Sequence, residues 1–154
     1  LGVPLERICD ALSQIAERFP NANLVFPIHP NPQVRSVVNS ALCGISNVYL
    51  MEPIEFDDSI YFQSCADLII TDSGGIQEEA PSFGVPVLVT RQSTERPEGI
   101  EAGCATLVGT NPDEIVSQAS KILGRTSSKN ERSNPYGDGK AANRILSHLL
   151  KFGI

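Results

Sequence analysis

The sequence predicts a doubly wound parallel α/β domain. Short apolar runs such as Leu24-Val25-Phe26, Leu68-Ile69-Ile70 and residues 85–89 alternate with stretches whose apolar residues recur at helical spacing. That alternation buries a parallel sheet beneath helices on both faces. The length of 154 residues suits one domain and one core that needs neither disulfides nor metal.

The elements follow in order. Leu5, Ile8, Cys9, Leu12, Ile15, Ala16 and Phe19 form one helical stripe, with Glu6, Arg7, Asp10, Gln14, Glu17 and Arg18 opposite. Pro4 suits the first helical position, and Pro20-Asn21-Ala22-Asn23 ends the helix. Residues 24–28 read as a strand closed by His29-Pro30-Asn31-Pro32. A helix over 33–42 turns Val34, Val37, Val38 and Leu42 inward, and a short strand follows at 47–50. Residues 55–65 are expected to be helical and 67–71 to form a strongly apolar strand.

Next come Asp72-Ser73-Gly74-Gly75 and a helix through Phe83, closed by Gly84 in the left-handed position. Strands are expected at 85–89 and 103–108. Asn111-Pro112-Asp113-Glu114 is a compact helix start, with Ile115, Val116, Ala119, Ile122 and Leu123 on one face behind it. Residues 124–139 read as a long polar loop, and a last amphipathic helix carries Ala142, Ile145, Leu146 and Leu149.

Composition narrows the partners. Twelve basic against 18 acidic side chains give a net charge of −6 with no basic run, which argues against nucleic acid as the main partner. No apolar stretch approaches the ~20 residues of a membrane helix, and the N-terminus has no signal core. The missing initiator Met suggests a piece of a longer protein. Cys9, Cys43, Cys65 and Cys104 are widely spaced within apolar patterns, so we expect reduced, buried thiols and a cytoplasmic setting. His29 and His148 are too few for a dedicated zinc site.

Ligands of open parallel sheets bind beyond the C-terminal strand ends. Asp72-Ser73-Gly74-Gly75 stands there, where two glycines allow close approach and a helix start favours phosphate. Glu79, one turn into the helix, can accept hydrogen bonds from a ribose diol. Taken alone, Ser73-Gly74-Gly75 could equally be a tight strand-to-helix turn. Arg91 and Arg96 could clamp a diphosphate bidentately or belong to a charged surface loop. His29, after the first strand, serves either as a ligand contact or as a structural hydrogen bonder.

Longer runs say more. Thr71-Asp72-Ser73-Gly74-Gly75-Ile76-Gln77-Glu78-Glu79-Ala80-Pro81 closely resembles the UDP-N-acetylglucosamine 2-epimerase family. So do His29-Pro30-Asn31-Pro32, Thr94-Glu95-Arg96-Pro97-Glu98 with Arg91 before it, and Asn134-Pro135-Tyr136-Gly137-Asp138-Gly139. The resemblance covers nearly the whole chain. It implies the C-terminal, Rossmann-like half of a two-domain GT-B fold, with an active site between the halves. It further implies interconversion of UDP-GlcNAc and UDP-ManNAc, by eliminating UDP to a 2-acetamidoglucal and adding it back. No metal or redox cofactor is implied, and intact relatives dimerise mainly through the other half.

Carried over by motif, Ser73, Gly74 and Gly75 resemble the diphosphate-binding turn and Glu79 the ribose-gripping residue. Arg96 looks like a further substrate contact, and the backbone near Ile54 like the segment facing uracil. His29 resembles the histidine that contacts a second, regulatory UDP-sugar in non-hydrolysing members. Many relatives carry an aromatic residue where this chain has Ser59, preceded here by Asp57-Asp58. The family's acid–base carboxylates lie in the N-terminal half, so no catalytic residue is expected in this chain. A GT-B glycosyltransferase and a hydrolysing epimerase releasing ManNAc and UDP are the alternative enzymes. A UDP-sugar-binding module without a catalytic partner is the non-enzyme alternative.

Overall fold

The computed structural model describes residues 2–125 and 134–152. It has the expected α/β class. In chain order the elements are α1 (Val3–Arg18), β1 (Leu24–Pro27), α2 (Pro32–Leu42), β2 (Val48–Met51) and α3 (Phe56–Cys65). Then come β3 (Ile69–Thr71), α4 (Gly74–Glu79), a 3-10 turn (Ala80–Phe83), β4 (Val87–Val89), α5 (Pro97–Glu101), β5 (Ala105–Leu107), α6 (Pro112–Leu123) and α7 (Ala141–Lys151). Most of the polar loop expected at 124–139, residues 126–133, lies outside the described residues.

All strand pairs are parallel, but the hydrogen-bonded ladders are two: β1 beside β2, and β3-β4-β5 with β4 in the middle. Ile8 and Ile70 pack against the cores of both ladders and so join them. β4 explains the double layer. Leu88 points to α1 and α6, where it meets Ala11, Ile15, Ile115 and Ala119. Its neighbours Val87 and Val89 point to the other face, among Ala80, Ala105, Ile76 and Ile100. All three β4 residues are buried, as a strand covered on both faces requires. The β1–β2 ladder buries Leu24, Phe26, Val48 and Leu50 beneath α1 and α2 and leaves Val25 and Tyr49 exposed.

Local chemistry sets the helix ends. Asn31 and Asn111 each accept a hydrogen bond from the amide two residues on, and a proline occupies the next position in both cases. Gly84 turns the chain at φ +68°, a left-handed conformation that a side chain would oppose. Asn47, buried ahead of β2, donates its side-chain amide towards the carbonyls of Ala16, Phe19 and Ala22, tying the end of α1 to the sheet.

No element is read from the sequence over residues 97–101, which form the short helix α5, with Pro97 and Glu98 in its first turn. One expectation is corrected. Of the four thiols only Cys9 and Cys104 are buried; Cys43 caps α2 and Cys65 ends α3, both exposed. Both stand at helix ends, where the apolar stripe no longer meets the core. Burial pushes the Cys9 thiol pKa up, which suppresses its thiolate further. A thiol reagent is therefore expected to titrate Cys43 and Cys65 in the native chain, and Cys9 and Cys104 only after unfolding. Four equally fast thiols would contradict this packing. None of the described helices is long and apolar enough to cross a membrane.

Candidate functional site

The strand β3 delivers its chain end into the Ser73-Gly74-Gly75 turn. The Thr71 hydroxyl accepts the Ser73 amide at 3.0 Å, bending the backbone out of the strand. Ser73 stands at the start of α4 without capping it by its side chain. Gly74 and Gly75 are ordinary helical residues, absent from the positive-φ glycines, so their value is space rather than conformation. A methyl on Gly74 would lie 3.4 Å from Arg96 Nη2 and from Glu95 Oε1. One on Gly75 would lie 3.6 Å from Glu79 Oε1 and 3.8 Å from Ser73 Oγ. The turn is thus ringed by a hydroxyl, a guanidinium and two carboxylates, with Gly75 open to solvent.

The arginine side is held from α4. Gln77 is 1% exposed; its Nε2 donates to the Ser73 carbonyl at 3.1 Å, and its Oε1 accepts the Thr94 hydroxyl at 2.7 Å. Thr94 Oγ1 in turn accepts the Arg96 amide at 3.1 Å, fixing the backbone that carries the guanidinium. Arg96 Nε donates to Glu78, and Nη1 stands 3.5 Å from Glu95. The bond to Glu78 is the main cause that raises the Arg96 pKa, so this cation stays charged. Glu95 also receives Arg91 at 2.9 Å. Its carboxyl is held below its ordinary range, by its own backbone amide first and by the two arginines after it. Its stabilising contribution is therefore present above the ordinary glutamate range and is lost as pH falls through the lowered pKa.

Behind the turn, the Asn134-Pro135-Tyr136 motif clamps α4 to α5. Asn134 Nδ2 donates to the Glu78 carbonyl at 3.0 Å and the Ser82 hydroxyl at 2.7 Å. Tyr136 Oη accepts the Gly99 amide at 2.9 Å and donates to the Arg96 carbonyl at 3.2 Å. Burial pushes the tyrosine pKa up and keeps that donor protonated. A methyl on Gly99 would come within 2.6 Å of this hydroxyl, so a bare backbone is needed there.

The structure therefore brings Ser73, Gly74, Gly75, Glu79 and Arg96 together. Ile54 is half-buried in the segment between β2 and α3, and Ser59 lies one turn into α3. Arg91 is engaged with Glu95 beside the arginine segment. His29 is exposed beyond β1, where its Nδ1 accepts the Asn31 amide at 3.2 Å and shapes the entry into α2. Sequence reasoning missed Gln63, Gln77 and the clamp role of Tyr136. The tyrosine had a signal, since it stands in a conspicuous Asn-Pro-Tyr-Gly run. Gln63 and Gln77 had a weaker one, each being a polar residue inside a helix and four residues after a serine.

This parallel α/β fold, with its strand-to-helix glycine turn beside an arginine, is of the GT-B-like class. The chain belongs to the UDP-N-acetylglucosamine 2-epimerase family, whose model matches residues 2–150. It is 47% identical over 151 residues to the UDP-N-acetylglucosamine 2-epimerase of Yersinia pestis, covering 96% of this chain and 40% of that protein. Among solved structures it resembles S. aureus MnaA in a co-structure with UDP, at 41% identity and a TM-score of 0.92 over 99% of this chain and 42% of that one. It also resembles the Neisseria meningitidis UDP-GlcNAc 2-epimerase bound to UDP-GlcNAc, at 39% identity and a TM-score of 0.90, covering 97% and 41% of the two chains. The chain thus spans about two fifths of the length of the relatives it matches.

Proposed function

We propose that this chain is the UDP-binding, C-terminal half of a two-domain enzyme that interconverts UDP-GlcNAc and UDP-ManNAc. One observation carries the reading: Arg96 stands over Gly74 while Glu79 and Ser73 face Gly75 across the same bare turn. In this reading the Ser73 hydroxyl and the amides of Gly74 and Gly75 hold the diphosphate. Arg96 shares its charge between Glu78 and the diphosphate, Glu79 accepts the ribose hydroxyls, and the backbone at Ile54 meets uracil. His29 contacts a second, regulatory UDP-sugar.

The chemistry follows from these roles. Elimination places negative charge on the departing UDP, and fixed amides with a paired arginine stabilise that charge as it develops. Removing and returning the sugar proton requires a positioned acid–base group. We assign that work to carboxylates of the N-terminal half, so this chain supplies no catalytic residue and needs no metal or redox cofactor. The partners are the UDP-sugar, the N-terminal domain and, for the intact protein, a second copy in a homodimer. The free thiols Cys43 and Cys65 at the surface support a reducing, cytoplasmic setting.

The test pairs two measurements on the purified chain. UDP is expected to bind, with Ser73→Ala weakening binding by about 3–10-fold for one lost hydrogen bond. Incubation with UDP-GlcNAc is expected to yield no UDP-ManNAc. Turnover by the chain alone would overturn the division of labour, and unchanged affinity in Ser73→Ala would remove the hydroxyl from the diphosphate site. With the intact protein and no acceptor, UDP-ManNAc marks the epimerase, whereas free ManNAc with UDP marks the hydrolysing enzyme.

A further inference from the structure

A second amide lies behind the carboxylate just assigned to ribose. Gln63 is the one buried residue of α3, with a relative exposure of 5%. Its Nε2 donates to Glu79 Oε2 at 2.7 Å and lies 3.4 Å from Ser59 Oγ. The other carboxylate oxygen, Glu79 Oε1, is the one that faces the Gly75 turn. One oxygen is therefore anchored by a buried amide while its twin faces the turn.

The amide's orientation is forced. A carboxylate only accepts, so the nitrogen of Gln63 must face it and the amide oxygen must point away. That oxygen is buried and has no hydrogen-bond partner among the described residues. An orphaned buried carbonyl weakens a fold, and an apolar side chain of similar volume would avoid the loss. The amide at position 63 is thus poor packing chemistry and good positioning chemistry. A free glutamate explores several rotamers, and fixing one of them beforehand removes an ordering cost from ligand capture.

We infer that Gln63 is a positioning residue: by pinning Glu79 it sets the discrimination between ribonucleotides and deoxyribonucleotides. The inference rests on the assignment of Glu79 to the ribose hydroxyls. It adds that the carboxylate alone, without the amide behind it, does not discriminate well. Gln63 touches no reacting atom and acts only through Glu79.

UDP, 2′-deoxy-UDP and inorganic pyrophosphate are titrated against the wild-type chain, Gln63→Met, Glu79→Ala and the double variant, with thermal unfolding of each. The wild type is expected to prefer UDP over 2′-deoxy-UDP by about tenfold, the worth of one charge-assisted hydrogen bond. Gln63→Met is expected to shrink that ratio to about twofold or less and to leave pyrophosphate binding unchanged. The double variant is expected to match Glu79→Ala, because the amide works through the carboxylate. Should Gln63→Met not fold, Gln63→Leu carries the same readout. A full UDP preference in a folded Gln63 variant, or losses that add in the double variant, would overturn the inference alone. A wild type that ignores the 2′-hydroxyl, or a Glu79→Ala chain that still discriminates, would overturn the ribose assignment beneath it.

Discussion

Replacing Glu79 by alanine is expected to weaken UDP binding by about 10–100-fold, the range for a lost hydrogen bond to a charged acceptor. The side chain is half-buried, so part of its attraction survives solvent screening. Its Oε1 stands over Gly75, within reach of a ligand seated on the turn. The effect should fall on the nucleoside and spare inorganic pyrophosphate, because the diphosphate is assigned to Ser73, the glycine amides and Arg96. Isothermal titration with both ligands separates the two halves of the site. Equal losses for UDP and pyrophosphate would show that the variant had disturbed the whole turn, and unchanged UDP affinity would remove Glu79 from the site.

Leu88→Ala is expected to cost about 2–5 kcal/mol, the range for deleting a fully buried leucine side chain. Leu88 is 0% exposed and is shared by α1, α6 and the sheet, so no single neighbour can move in to fill the space. For a chain of this length that corresponds to a fall of roughly 5–15 °C in melting temperature. Ile145→Ala on α7 is the control. Ile145 is 60% exposed, and its loss is expected to stay within about 0.5 kcal/mol. Similar falls in the two variants, measured by thermal unfolding, would contradict the placement of the core at β4.

The elements that local chemistry dictates were legible. α1 and α6 announce themselves by an unbroken apolar stripe and by a proline near the start. Ser73, the glycines and Glu79 could be grouped from the sequence because they lie within about two helical turns of each other. α5 was not, since five residues carry no periodicity, and only Pro97 with Glu98 hinted at a start. The division of the strands into two ladders depends on pairing between distant segments, which no local pattern encodes. The same holds for the groups behind the site. Gln63 finds Glu79 16 residues away, Thr94 finds Gln77 across 17, and Tyr136 finds Gly99 across 37. Cys43 and Cys65 fit apolar patterns in the sequence and lost burial only because their helices end there.

The Gln77 amide has a kinetic corollary. It fastens the backbone entering α4 to the segment that carries Arg96, satisfying both of its own ends in doing so. A flap that must fold over its guest slows capture and makes the on-rate depend on the flap's own motion. A seam already stitched removes that step. Nucleotide arrival at this half should therefore follow a single bimolecular phase, rising linearly with concentration and without a plateau.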